Sequence, residues 1–506
     1  MTNHAADLSR DADDLAGFGY AQQLRRRLGG YAAFAAGFSF ISILTTVFQL
    51  FAFGFSFGGA AFFWTWPIVF VGQLFVALCF AELAARYPIS GCIYQWSRRL
   101  SNPTFGWFAG WTMLIAQIVT VAAAAIALQV VLPTLWSGFQ IIGSDPALTS
   151  SDGASNAVLL GAILVVLTTT VTALGVGIMS RINSIGVTLE LIGVTALIVL
   201  LFSHAERGPD AVLHQTGAAP GGYLAAFIIS ALMAAYVMVG FDSAGELSEE
   251  TRDPRRTAPL AIVRALCVAG LCGGLLLLGG ILAAPNLGEL AAGGLPYVLT
   301  SQLGDTVGKI LLADVAIAVC VCTLAIQTAA TRMMFSMSRD GVLPFSSALG
   351  HVSKRTGTPV LPAVIVGLLT ISLLVVNVGE ASLFLALTSV CIVMLYLAYL
   401  MVTGPMLVRR LRGTYDADGA QASFSLGRWG LPVNILAVVY GAAMMVNIGW
   451  PRAAVYDPEG GNWYLQYFAL IFATGSFVIG VLAYLRYRAS QAAPVAPELA
   501  TARAQA

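Results

Sequence analysis

Apolar residues run along this chain in long continuous stretches, not in the apolar/polar alternation of half-buried strands. A run of about 20 residues lets a helix cross the hydrocarbon core of a bilayer, which is about 30 Å thick. Segments containing proline, glycine and asparagine separate the runs. The pattern therefore predicts an all-α membrane protein with about twelve transmembrane helices. Their predicted bounds are 30–56, 63–86, 103–132, 156–178, 182–203, 223–248, 259–284, 307–337, 360–378, 382–408, 431–450 and 464–486.

The overall composition also indicates that the protein lies in a lipid bilayer. Of the 506 residues, 58% are hydrophobic and 10% are charged, whereas soluble proteins carry about 25% charged residues. Only helices and closed barrels span a bilayer, because every backbone polar group must be bonded internally. A barrel would show alternation over short segments, so the continuous runs favour a helical bundle.

Basic residues are distributed unevenly between the predicted loops. If the N-terminus lies in the cytoplasm and the spans alternate, only Arg207, Lys309 and Arg452 of the 26 lysines and arginines fall outside. Basic residues accumulate in cytoplasmic loops, so we predict a cell-membrane protein with both termini in the cytoplasm. Residues 1–29 would form a cytoplasmic segment without a signal peptide, and 489–506 a disordered cytoplasmic tail.

The composition excludes several other classes of protein. The seven cysteines lie in or beside apolar runs and the four histidines in loops or tails, so we expect neither a metal site nor a cofactor. A net charge of +1 without a basic tract gives no indication of nucleic acid. The spans contain no nucleophile elbow and no metal-ligand spacing, so we do not expect an enzyme.

Two predicted spans contain residues that interrupt an apolar helix. Residues 37–46 of the first span are rich in small and hydroxyl side chains, and residues 240–250 of the sixth contain glycines and carboxylates. Breaks near the bilayer midplane expose helix N-termini to anions and free carbonyls to cations. Hydroxyl groups can instead bond to their own helix, and that alternative stays open for the first span.

Carboxylates inside the spans are costly and therefore candidates for function. Asp242 lies in the second break, Glu246 follows one turn later, and Glu190 lies midway along the fifth span. All three are candidates for proton coupling, although a purely hydrogen-bonded role stays open for Glu190 and Glu246. Glu249 and Glu250 are expected in solvent at the cytoplasmic end. Because no lysine or arginine lies near a span centre, the interior suits an amine or a zwitterion.

Three ordered motifs resemble those of the amino acid–polyamine–organocation transporter superfamily. Residues 81–96, AELAARYPISGCIYQW, resemble its second-helix signature. Residues 240–254, GFDSAGELSEETRDP, resemble the sixth-helix pattern, and residues 332–344 resemble the end of the eighth helix. The similarity covers roughly residues 20–490 and is greatest to the amino acid/choline branch, which includes γ-aminobutyrate and choline permeases.

This resemblance implies a LeuT-type fold with two inverted five-helix repeats and two extra helices. The repeats would be residues 30–205 and 220–412, and the extra helices 428–488. It also implies alternating-access transport of an amino acid, γ-aminobutyrate-like or choline-like amine, driven by protons or by exchange. An amine-gated channel or sensor of the same fold is the alternative, although the sequence contains no selectivity-filter motif.

The resemblance also implies a substrate site formed by the two breaks. The substrate carboxylate would bind amides near Ser42, Ile43, Leu44, Thr45 and Thr46. The amine would bind near Tyr236, Gly240, Phe241, Asp242, Ser243 and Ala244, with Tyr236 as an aromatic lid. Two features depart from relatives: the first break lacks the Gly-Ser-Gly of other branches, and the fifth span has Glu190 but no lysine.

Overall fold

The structure, a computed structural model, describes residues 11–215, 221–376, 378, 382–415, 423–457 and 460–492. Within these ranges the regular structure is entirely helical, and a single isolated bridge joins Leu28 to Thr251. Ten helices there are long and apolar enough to cross a membrane, and two shorter apolar helices, Tyr223–Val237 and Val360–Val376, accompany them. The predicted all-α fold with about twelve spans is confirmed.

The helices are numbered in chain order, with three four-residue helices, Ser346–Leu349, Ala453–Tyr456 and Trp463–Gln466, left unnumbered. Their bounds are α1 Gly30–Ile41, α2 Ile43–Gly58, α3 Thr65–Arg86, α4 Cys92–Leu100, α5 Pro103–Ile126, α6 Leu128–Leu135, α7 Ser151–Leu174, α8 Val176–Ser203, α9 Tyr223–Val237, α10 Ser243–Glu246, α11 Pro254–Ala283, α12 Leu287–Arg339, α13 Val360–Val376, α14 Ser382–Leu411, α15 Gly430–Gly449 and α16 Phe468–Ala492.

The turn between the fourth and fifth spans lies earlier than predicted. Helix α7 ends at Leu174 and α8 begins at Val176, so Arg181 lies on the exposed face of α8 and not in a loop. Gly175 makes the turn with φ 131°, a conformation that side chains rarely adopt. Apolar residues continue through this turn, and hydrophobicity therefore does not mark it.

Three other boundaries differ from the prediction. The predicted loop after the second span contains α4, a nine-residue helix too short to show as a span. Helix α12 is 53 residues long and is kinked at Gly294 and Gly304, so it starts well before predicted residue 307. Helix α16 reaches Ala492, and residues 493–506 of the predicted tail lie outside the described residues.

The centre of the bundle is formed by the two broken spans and the helices around them. Helix α1 packs against α8 and α11, α2 against α9 and α12, and α5 against α12 and α14. Outer helices instead expose large apolar side chains, which in a bilayer face lipid. Examples are Ile185, Val199, Leu368, Val439 and Ile479.

Candidate functional site

The first span breaks at a single residue, Ser42. Its φ of 36° and ψ of 90° separate α1 from α2. A positive φ costs a non-glycine residue about 1–2 kcal/mol, so local bonds must support it. The Ser42 hydroxyl bonds Thr45 Oγ1 at 2.7 Å, and the Thr46 hydroxyl donates to the Ser42 carbonyl at 2.8 Å. Part of the hydroxyl chemistry therefore stabilises the break itself.

Glu190 of α8 lies against the N-terminus of α2. Its Oε1 accepts hydrogen bonds from the Ser42 hydroxyl at 3.0 Å and from the Leu44 amide at 3.2 Å. Its side chain is buried, and Oε2 has no hydrogen-bond partner among the described residues. A helix N-terminus carries partial positive charge, so this position suits a carboxylate. The structure thus places a carboxylate of the chain itself at amides that the resemblance assigns to substrate.

The sixth span breaks over several residues between α9 and α10. Helix α9 ends at Val237, and α10 begins at Ser243. Gly240 has φ +93°, and a Cβ there would lie 1.8 Å from Cδ1 of the Phe40 ring. The Ser243 hydroxyl donates to the Ala36 carbonyl of α1 at 2.9 Å. Glycine is therefore required for the two breaks to pack directly against each other.

Asp242 ends this unwound segment and is buried. Its Oδ1 accepts a short hydrogen bond from the Tyr399 hydroxyl, which in turn accepts the Gly240 amide at 2.9 Å. Its Oδ2 has no hydrogen-bond partner within the described ranges. A buried carboxylate oxygen without a partner is energetically costly, so this atom is available to a ligand cation or a proton.

Sequence reasoning missed Tyr399, which lies on α14. Its ring packs against Phe80 and Phe241, with centroids 5.0 and 5.5 Å away, and Phe80 also packs against Trp96 at 5.3 Å. The available signal was the pair Tyr396 and Tyr399 within an otherwise apolar run. Buried tyrosine hydroxyls usually have a polar partner, and here that partner is the second break.

The three proton-coupling candidates do not form one cluster. Glu190 bonds the first break and Asp242 bonds Tyr399, whereas Glu246 Oε2 accepts the Gly91 amide at 2.9 Å, just before α4. Glu246 Oε1 lacks a partner among the residues described. Glu246 therefore links the second break to α4. The described part of the chain contains no group of three or more histidine, cysteine, aspartate or glutamate side chains that could hold a metal ion.

The expectation that Glu249 and Glu250 are solvated is wrong. Both side chains are fully buried, and they form ion pairs with Arg339 at 2.7 Å and with Arg332 at 2.8 Å. Loss of water is tolerable here because each carboxylate accepts two hydrogen bonds from its arginine. We call this end of the bundle, where α1 begins and α12 ends, the basic end.

The N-terminal segment covers the basic end and so contributes to the burial of Glu249 and Glu250. Residues 11–28 lie across it, and Leu28 donates its amide to the Glu250 carbonyl at 2.9 Å. Arg26 donates to the Thr251 carbonyl at 2.8 Å. Burial raises the pKa of Asp11, although the Asp253 amide and then Arg26 favour its charged form. The segment is therefore bonded directly to the residues that follow the second break.

The remaining candidate residues lie around the breaks and are buried. Tyr236 occupies the last turn of α9, and its side chain is 4% exposed. Among the buried polar residues of neighbouring helices, Gln327 bonds Thr168 and Thr169 and so joins α12 to α7. Gln117 of α5 is buried, and neither polar atom of its amide has a partner in the described part of the chain. Gln117 thus remains available to a ligand.

A helical bundle with about twelve apolar segments and two broken helices in contact defines a multi-pass membrane protein of the transporter class. Residues 28–477 match the family described as amino acid permease. The chain belongs to this family, which confirms the resemblance noted from its motifs. It is therefore a transporter for amino acids or related substrates.

Curated relatives are similar along most of their length. Amino-acid permease BAT1 of Arabidopsis thaliana is 27% identical over 477 residues, 88% of this chain and 89% of that protein. Its homolog in Oryza sativa subsp. japonica is 27% identical over 471 residues, 86% of each chain. The methylthioribose transporter of Bacillus subtilis (strain 168) is 28% identical over 333 residues, 63% of this chain and 70% of that one. These relatives are named as permeases and transporters, not as enzymes.

Proposed function

We propose that the chain is a secondary active permease that carries an amino acid or a related amine across the cell membrane by alternating access. Both termini would lie in the cytoplasm, as the distribution of basic residues indicates. The observation that carries the proposal is the contact between two broken helices beside Asp242, whose Oδ2 lacks a partner among the described residues.

The second break supplies the chemistry for an ammonium group. The last carbonyls of a helix have no intrahelical partners and carry partial negative charge, so the end of α9 attracts a cation. Asp242 adds a full negative charge at the same place, and Tyr399 orients its carboxylate. We assign the amine of the substrate to the region of Tyr236, Gly240, Phe241, Asp242, Ser243 and Ala244.

Transport would require the two breaks to open alternately to each side of the membrane. In this structure Ser42 and Asp242 are at most 1% exposed, and the N-terminal segment covers the basic end. We propose that residues 30–205 and 220–412 act as the two inverted repeats and rock around the breaks. Protons on Asp242, Glu190 or Glu246, or exchange against a second amine, would drive accumulation.

Uptake into proteoliposomes tests the role of Asp242. The substrate panel contains amino acids, 4-aminobutyrate, choline and polyamines, with methylthioribose included because one relative is named for it. Ligands are ranked first by thermal shift, since binding to the folded state stabilises it. Uptake with and without a pH gradient, a sodium gradient or internal substrate then separates the modes of coupling.

Asp242→Asn is expected to reduce uptake of an amine at least about tenfold, because it removes one partner of a buried charge pair. Asp305→Asn is the matched control, because Asp305 is exposed and pairs with Lys309 on the surface of α12. Unchanged amine uptake by a folded Asp242→Asn protein would exclude the assigned role. Uptake of methylthioribose alone would exclude an amine as the substrate.

A further inference from the structure

The N-terminus of α2 is already bonded to a carboxylate of this chain. Glu190 Oε1 accepts both the Ser42 hydroxyl and the Leu44 amide, 3.0 and 3.2 Å away. A helix of 16 residues has its free amides and the positive end of its dipole in the first turn. These donors are what an anionic substrate group would need at this break. A substrate carboxylate and Glu190 would therefore compete for the same hydrogen bonds.

Among the residues that the structure describes, no positive charge pairs with Glu190. Asp314 of α12 packs against Gly193, where a Cβ would lie 1.7 Å from its Oδ2, one turn along α8 from Glu190. Asp314 Oδ2 also lacks a partner in the described part of the chain. The break itself adds no charge, because residues 30–58 contain no charged side chain. The charged neighbour of Glu190 in the described part of the chain is thus a second carboxylate, that of Asp314.

On the helices packed against α8, one further ionisable group lies beside Glu190. Cys322 of α12 is the one that faces the break, and its thiol points at the Phe40 carbonyl at 3.6 Å. The other charged residues of α7, α8 and α11 lie towards the starts of those helices: Asp152, Arg181, Arg255, Arg256 and Arg264. Two ionised carboxylates cannot share one set of donors without strong repulsion.

We propose that Glu190 is an internal competitor for the substrate carboxylate, so that a carboxylate-bearing substrate binds at Ser42 and Leu44 only when Glu190 takes up one proton. This inference rests on the proposed transport function. One proton passes from water to the Glu190 carboxylate, and the substrate carboxylate replaces Glu190 at the two donors. One O–H bond of a hydronium ion breaks as the O–H bond of the Glu190 carboxyl forms, one water molecule is released, and no other covalent bond changes. An amine without a carboxylate leaves Glu190 in place and needs no such proton.

Matched ligands isolate the contribution of the carboxylate. The pairs are 4-aminobutyrate with n-butylamine, and lysine with 1,5-diaminopentane, since the members of each pair differ by one carboxylate. Dissociation constants are measured with purified full-length protein from pH 5 to 7.5, where alkyl amines stay protonated. In each pair, the affinity for the carboxylate-bearing ligand, divided by the affinity for the ligand without a carboxylate, should rise up to tenfold for each unit by which the pH falls. The amine itself should show no such dependence.

Variants assign this pH dependence to Glu190. Glu190→Gln should bind the acids at all pH values with the slope removed, because a neutral amide does not repel a carboxylate. Glu289→Gln is the matched control, since Glu289 is exposed in the first turn of α12, and it should keep the wild-type slope. The proposal would also be supported if the wild type bound only the amines without a carboxylate and Glu190→Gln bound the carboxylate-bearing ligands as well. Equal slopes for acid and amine, or an unchanged slope in Glu190→Gln, would overturn it.

A second measurement needs neither a ligand nor a variant. Hydrogen exchange of the wild-type peptide that contains Leu44, corrected for the intrinsic pH dependence, should lose protection as the pH falls, because a protonated Glu190 releases that amide. Protection that does not change with pH would contradict the proposal. Failure of all amino compounds to bind or to be transported would instead refute the proposed function, so the two failures are distinguishable.

Discussion

Gly240 is the position where a single methyl group should most disturb the contact between the two breaks. Its φ is +93°, and a Cβ would come within 1.8 Å of Cδ1 and 2.4 Å of Cγ of Phe40. These atoms lie at the base of the ring, so the ring cannot avoid the methyl group by moving only its tip. Gly240→Ala should therefore add both backbone strain and steric overlap.

The strain and the steric overlap have similar expected magnitudes, and a control variant separates them. A positive φ costs an alanine about 1–2 kcal/mol, and overpacking of a close-packed interior costs about 1–3 kcal/mol. Gly240→Ala should thus reduce the free energy of unfolding by about 2–5 kcal/mol. Gly304→Ala is the control, because Gly304 has φ +73° but no heavy atom within 4 Å of the added Cβ. It should show the strain contribution alone.

Unfolding by SDS in mixed micelles, followed by tryptophan fluorescence, measures these differences. Two further variants are Phe40→Ala, which removes the ring that the methyl group meets, and the combination of Phe40→Ala with Gly240→Ala. In a double-mutant cycle the coupling between Gly240 and Phe40 should equal the overlap contribution, about 1–3 kcal/mol. A cost for Gly240→Ala no larger than that of Gly304→Ala, or an absence of coupling, would refute this reasoning.

Two further substitutions test the buried polar contacts. Tyr399→Phe keeps the aromatic packing but removes the hydroxyl bonded to Asp242, so uptake should fall about tenfold with a destabilisation of about 1–3 kcal/mol; wild-type uptake would show that the hydroxyl is not needed. Glu250→Ala leaves Arg332 buried without its counter-charge and should cost about 3–5 kcal/mol in SDS unfolding. Asp305→Ala removes an exposed pair and should cost less than about 1 kcal/mol, so equal costs for the two would contradict the burial argument.

The location of the breaks followed from local chemistry, but their bonding did not. Glycine beside Asp242 in an apolar run predicts an interruption, because neither residue stabilises a lipid-exposed helix. Ser42 was harder to identify, since serine also occurs in unbroken membrane helices. The donor that orients Asp242 is Tyr399, 157 positions further along the chain. Residues so far apart are brought together only by helix packing.

The burial of Glu249 and Glu250 could likewise not be predicted from the local sequence. Their position at the end of a span suggested solvent, and nothing in the local sequence shows that residues 11–28 cover them. Their arginine partners lie 90 and 82 positions away on α12. The turn at Gly175 was also misplaced, because a turn inside an apolar region has no polar signal.

The sequence by itself determined that the protein lies in a lipid bilayer, the number of its spans, the two interrupted segments and the family. Each of these depends on short stretches, because a bilayer requires every span to be long, apolar and internally bonded, whatever its neighbours. Tertiary structure decided which buried polar atoms are satisfied: it placed Glu190 against Ser42, 148 positions away, and left Asp242 Oδ2 without a partner in the described residues. Such partnerships depend on a few ångströms between distant helices, and no local pattern encodes that distance.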